Sequence, residues 1–133
     1  MSCNSILFTA MTSPTSVAAG GDIPLGNVVR RYGCGAALRG NAISLTGDGY
    51  YDADVSVTVV PAAAGTVTVT LLQDGVAIPG ATASATVAAT DTSVTLSFPA
   101  AVRLLRYSPR ATLRLTLSAA GSVTNAAVTV RKL

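Results

Sequence analysis

Gly49-Tyr50-Tyr51-Asp52-Ala53-Asp54-Val55-Ser56-Val57-Thr58-Val59-Val60-Pro61, followed after three alanines by Gly65-Thr66-Val67-Thr68-Val69-Thr70-Leu71, decides the fold. In the first piece Tyr51, Ala53, Val55, Val57 and Val59 share one parity, and Asp52, Asp54, Ser56 and Thr58 share the other. Successive side chains of a strand point to opposite faces, so this pattern describes a strand buried on one side only, as in an antiparallel sheet. The uncharged run from Val55 to Gln73 has the length of a membrane span, but Pro61 and Gly65 interrupt it and its period of two is wrong for a helix. It reads as two strands and a turn, with no membrane as a partner.

The same period continues outward. Asp74-Gly75 is a tight-turn signal with Val76 to Ile78 as the returning piece, and Pro79-Gly80 reads as a second turn before Ala81, Ala83, Ala85 and Val87. Val94, Leu96 and Phe98 precede Pro99; Leu113, Leu115 and Leu117 alternate with Thr112, Arg114 and Thr116; Ala120-Gly121 leads into Ala126, Val128 and Val130. Six or seven strands from Ile43 onward predict an all-β antiparallel sandwich or jelly roll. The core expected from parity is Tyr51, Val55, Val57, Val67, Val69, Leu71, Leu96, Phe98, Leu113, Leu115, Leu117, Val128 and Val130. Arg103, Arg106, Arg110 and Arg114 follow a helical spacing, but Pro109 stands among them and a strand from Ala111 accounts for the leucines.

A length of 133 residues fits one domain, residues 1–33 forming an N-terminal strand and arm. The chain has no His, Trp or Glu, and its only Lys is Lys132. That removes histidine triads, histidine-rich zinc sites, glutamate acid–base pairs and the phosphate-loop lysine. No serine or threonine stands in a nucleophile motif, so no enzyme and no cofactor is expected. Met1 to Thr12 lack a basic start and a long enough apolar stretch for a signal peptide, and Arg30-Arg31 lies inside the domain with no apolar helix after it. Cys3 and Cys34 match no metal or redox spacing; free thiols in a reducing compartment are the expectation, with a Cys3–Cys34 bridge as the alternative.

The net charge of +3 hides an asymmetry. Residues 1–91 carry three Arg against all six Asp, whereas residues 92–133 carry five Arg and Lys132 with no acid. Such halves can pair within the fold, pair between copies, or meet an acidic partner.

The segment Ile43-Ser44-Leu45-Thr46-Gly47-Asp48-Gly49-Tyr50-Tyr51-Asp52-Ala53-Asp54-Val55 resembles the tumour necrosis factor-like jelly roll, in which an apolar pair and a short turn precede Gly-x-Tyr-x-(apolar) at the start of a central strand. Gly49 and Tyr51 fill the two motif positions. Val17 to Pro24 is similar to the loop and short strand upstream of that motif in bacterial members, Val67 to Leu72 with Asp74-Gly75 to their hairpin, and Ala126 to Leu133 to their closing strand. Tyr107-Ser108-Pro109-Arg110 departs from the Gly-Asp pair of many members, and no collagen-like repeat precedes the domain. The resemblance implies a homotrimer used as a surface or virion module: a phage capsid decoration or head-fibre protein, made in the host cytoplasm and carried on the virion, with itself and capsid or other virion proteins as partners. The alternative it implies is a host-recognition or carbohydrate-binding head.

Four sets of side chains are candidates for binding. Asp48, Asp52 and Asp54 could offer oxygens to Ca²⁺, but their spacing fits no calcium loop and solvated turn and strand positions explain them as well. Asp52, Asp54, Ser56 and Thr58 share the parity opposite to Tyr51, and in the resembled trimers that side of the central strand meets neighbouring subunits. Arg110 and Arg114, opposite in parity to Leu113, would then supply inter-subunit partners for the aspartates. The arginines lack the lysines, stacking platform and motif of a nucleic-acid groove, so no nucleic acid is expected. Tyr32, Tyr50, Tyr51 and Tyr107 offer rings for a surface glycan, with packing as the competing role for Tyr51.

Overall fold

The computed structural model describes residues 5–11, 13–33, 35–88, 93–107 and 110–133. Cys3, Cys34, Asp91 and Pro109 lie outside the described residues. Eleven strands form among those described: β1 (Ile6–Ala10), β2 (Thr15–Val17), β3 (Asn27–Tyr32), β4 (Ala36–Arg39), β5 (Ala42–Thr46), β6 (Gly49–Pro61), β7 (Gly65–Gln73), β8 (Val76–Val87), β9 (Val94–Leu104), β10 (Arg110–Leu117) and β11 (Gly121–Lys132).

They make two antiparallel sheets. The first has the order β3-β1-β11-β6-β9, with β2 beside the start of β11; the second has the order β4-β5-β10-β7-β8. Between them lies one core that includes Tyr51, Val55, Val57, Val67, Val69, Leu71, Leu96, Phe98, Leu113, Leu115, Leu117, Val128 and Val130. Alternation on β6 sends Tyr51, Ala53, Val55, Val57 and Val59 inward, which is why one parity is aliphatic and the other polar.

Residues 1–33 contain three strands among those described rather than one strand and an arm. After β2 the chain leaves the first sheet and runs alongside β10 of the second: the Ile23 amide donates to the Leu115 carbonyl at 2.8 Å, and the Leu117 amide donates to the Gly21 carbonyl at 3.1 Å. Ile23 and Leu25 on this crossing are fully buried and plug the gap between the sheets. At Gly26 the chain turns back with φ +76°, and an added Cβ would stand inside the backbone of Ala10 and Met11. Only glycine fits that approach.

Two turn readings resolve differently. Asp74 and Gly75 both have positive φ, 53° and 84°, between the paired residues Gln73 and Val76, the signature of a tight hairpin turn. Pro79-Gly80 is not a second turn. It sits inside the continuous strand β8, where the register with β7 shifts between Thr70 and Leu72. A bulge absorbs the extra residues, Gly80 taking φ +83°, and Pro79 is tolerated because β8 is an edge strand. Arg103 is the last residue but one of β9 while Arg110 and Arg114 lie on β10, so no helix among the described residues gathers the arginines.

Candidate assembly face and basic pole

The outer face of the first sheet is assembled from short side chains. Register places Thr129, Asp54 and Pro99 in one row, Ala127, Ser56 and Ser97 in the next, and Arg131, Asp52 and Ala101 in the row on the other side. Ile6 and Phe8 of β1 extend the first and third of these rows, opposite Arg131 and Thr129. A shallow depression lined by Asp54, Ser56, Ser97, Pro99, Ala127 and Thr129 lies at its middle. The sheet ends in β3, whose six residues are all exposed although they include Val28, Val29 and Tyr32.

Asp52, Asp54, Ser56 and Thr58 therefore share this face. Arg110 and Arg114 do not, since β10 belongs to the second sheet. The charges have partners within the chain: Arg131 Nη2 donates to Asp52 Oδ2 at 2.7 Å, and Arg114 Nη1 donates to Asp22 Oδ2 at 3.2 Å. Asp22 is carried to Arg114 by the crossing segment, a pairing invisible in the sequence because 92 residues separate the two. Asp54 and Arg110 have no ion-pair partner among the described residues. Thr58 shares a hydrogen bond with Thr95 at 3.0 Å.

The outer face of the second sheet is different in kind. Thr66 pairs with Thr86 at 3.1 Å, Thr68 with Ser84 at 2.8 Å and Thr70 with Thr82 at 3.3 Å, hydroxyl to hydroxyl across β7 and β8.

The two ends of the sandwich also differ. At one end the connections are Ala62-Ala63-Ala64 and Ser118-Ala119-Ala120, tied by the Ala62 amide donating to the Ala120 carbonyl at 3.0 Å. At the other end lie the β5–β6 connection, the Asp74-Gly75 turn, the start of the β9–β10 connection and the last residues of β3 and β11. This end carries Arg31, Arg103, Arg106, Arg110, Arg131 and Lys132, together with all four tyrosines. Three are exposed: Tyr50 at 53 %, Tyr32 at 71 % and Tyr107 at 85 %. The guanidinium of Arg103 stands 5.7 Å from the centre of the Tyr50 ring, its cross-strand partner.

Tyr51 has the opposite fate. It is fully buried, and its hydroxyl lies 2.8 Å from the Thr46 carbonyl oxygen and 2.9 Å from that of Gly47, sharing its one proton between them. Burial, and then the charge of Asp48, push its phenol above the ordinary 10.0. It fixes the β5–β6 connection and is not a ligand group. Among the described residues no three His, Cys, Asp or Glu side chains gather as a metal site; Asp52, one of the three aspartates considered for Ca²⁺, is held by Arg131. No helix among the described residues is long and apolar enough to cross a membrane.

Two antiparallel sheets in this order define a tumour necrosis factor-like jelly roll. No family model matches the chain, and no curated protein matches it by sequence. Solved structures do. Murine APRIL at pH 5.0 superposes with a TM-score of 0.76 at 14 % identity, covering 98 % of this chain and 99 % of that one. The globular domain of zebrafish complement 1qA protein gives 0.66 at 9 % identity over 96 % and 95 % of the two chains. PRD1 vertex protein P5 gives 0.65 at 14 % identity over 100 % and 99 %.

Proposed function

We propose that the chain is a non-enzymatic structural protein of a bacteriophage virion, a homotrimeric capsid decoration or head-fibre head that assembles through the outer face of its first sheet. The observation that carries this reading is that face. Its middle is built from Ala, Ser, Thr and Pro, it presents Asp54 without a cation partner among the described residues, and it ends in a strand exposed along its whole length. Small side chains let backbones approach closely, and an unprotected edge strand is a liability that a second copy removes. The end-to-end likeness to PRD1 vertex protein P5 supports the virion setting.

Light scattering of the purified chain at micromolar concentration tests assembly: three copies give about 40 kDa against 13.3 kDa for one. A single-copy species overturns the trimer. Quantitative mass spectrometry of particles from the source of the sequence tests the setting, with presence in multiples of three expected and absence overturning it. A host-recognition or carbohydrate-binding head is the second reading, favoured by the exposed tyrosines at the basic end.

A further inference from the structure

All three exposed tyrosines stand at one end of the sandwich: Arg103 faces Tyr50 across the β6–β9 pair, its guanidinium 5.7 Å from the ring centre, Arg106 precedes Tyr107 in the turn after β9, and Tyr32 ends β3, where Arg31 points to the other side and donates to the Ala36 carbonyl. Elsewhere the exposed surface is mostly short side chains, so three rings left in water call for a reason. Arg103, Arg106 and Arg110 have no carboxylate within ion-pair distance among the described residues. A tyrosine ring offers an apolar face with a hydroxyl at its edge, and a guanidinium offers a planar fork of donors that matches a carboxylate.

We infer that this end of the molecule binds an acidic glycan, a polymer of hexuronic acid type, with pyranose rings on Tyr50 and Tyr107 and their carboxylates on Arg103 and Arg106. A nucleic acid fits less well. Its phosphate backbone asks for a groove lined with cations, whereas this site is made of turns and strand ends and the chain owns a single lysine. The site uses residues of one chain; Tyr50 and Arg103 stand at the end of the outer face of the first sheet, so Tyr107→Ala, which lies off that face in the turn after β9, separates loss of glycan binding from loss of assembly in light scattering.

The test is a calorimetric titration of the full chain with a tetragalacturonate, its fully methyl-esterified form and an octathymidylate. Binding of the tetragalacturonate, at least tenfold weaker for the ester and for the oligonucleotide, is expected. Tyr107→Ala, which changes no charge on an 85 % exposed side chain, is expected to weaken binding at least fivefold with an unchanged melting temperature. Arg103→Gln combined with Arg106→Gln is expected to abolish it. No binding, equal binding of the ester, full affinity in Tyr107→Ala, or tighter binding of the octathymidylate would each overturn the assignment.

Discussion

The two outer faces of the sandwich come from the same kind of sequence, hydroxyl residues alternating with aliphatics, yet they finish differently. On the second sheet the hydroxyls of β7 and β8 satisfy one another in cross-strand pairs, and Arg114 is answered by Asp22, so most of that face's polar groups are paired within one chain. On the first sheet the corresponding positions hold Ala127, Ala101 and Pro99, Asp54 is unanswered among the described residues, and β3 lies bare. Period two tells which side of a strand is buried in its own fold. On the reading proposed above, the pairing of polar groups within the chain is what separates a face for water from one for another copy.

The strongest way to break this contrast is to put one charge on each face. Ala127→Arg should dissociate the proposed trimer in light scattering, since an unpaired charge in an interface costs about 3–5 kcal/mol, whereas Ser84→Arg on the other face should leave the mass unchanged. Equal behaviour of the two variants would show the faces to be equivalent. Asp54→Ala should weaken assembly by about tenfold, on the order of 1–2 kcal/mol, and raise the monomer fraction on a sizing column; an unchanged trimer would remove Asp54 from the contact.

Tyr51→Phe separates folding from assembly. Loss of its hydrogen bond to the β5–β6 connection should lower stability by about 1 kcal/mol at neutral pH. Because the folded phenol titrates above the unfolded value of 10.0, its contribution is whole below that pH and is lost as pH rises through the raised value. Urea titrations should therefore show a shallower alkaline decline for Tyr51→Phe than for the parent chain. The smallest effect is expected at Thr9, whose fully buried Oγ1 has no hydrogen-bond partner among the described residues on the inner side of the first sheet. Thr9→Val should stabilise the chain by about 1 kcal/mol, raising the melting temperature by about 3 °C; a lower melting temperature would mean that the hydroxyl has a partner.

Much of the sandwich was legible because parity is a direct consequence of pleating: Tyr51, Val55, Leu113 and Val128 had to face one way. The parts that were not legible depend on contacts between distant segments. Pro79-Gly80 looks like any turn until the bulge against β7 is seen, and the buried Ile23 and Leu25 lie in a stretch without period two, so alternation gave no signal there. At the candidate sites, Asp52 and Asp54 could be assigned to a face, but the partners Arg131 and Asp22 could not be assigned, because charge alone does not say which strands are neighbours. The placing of the exposed tyrosines at one end was likewise hidden: Tyr32, Tyr50 and Tyr107 are far apart in sequence and reach the same end only through strand direction and register.

The pairing of β1 with β11 reaches beyond statics. Ile6 lies opposite Arg131, so the first strand has its central neighbour only when nearly the whole chain is available. During synthesis β1 must wait, its apolar residues unsheltered, until the closing strand emerges; such non-local topologies fold on the slower scale of milliseconds to seconds. Truncation ahead of β11 would leave β1 and β6 without the strand between them, and a ribosome-bound chain should become protease-resistant abruptly once β11 has emerged rather than by stages.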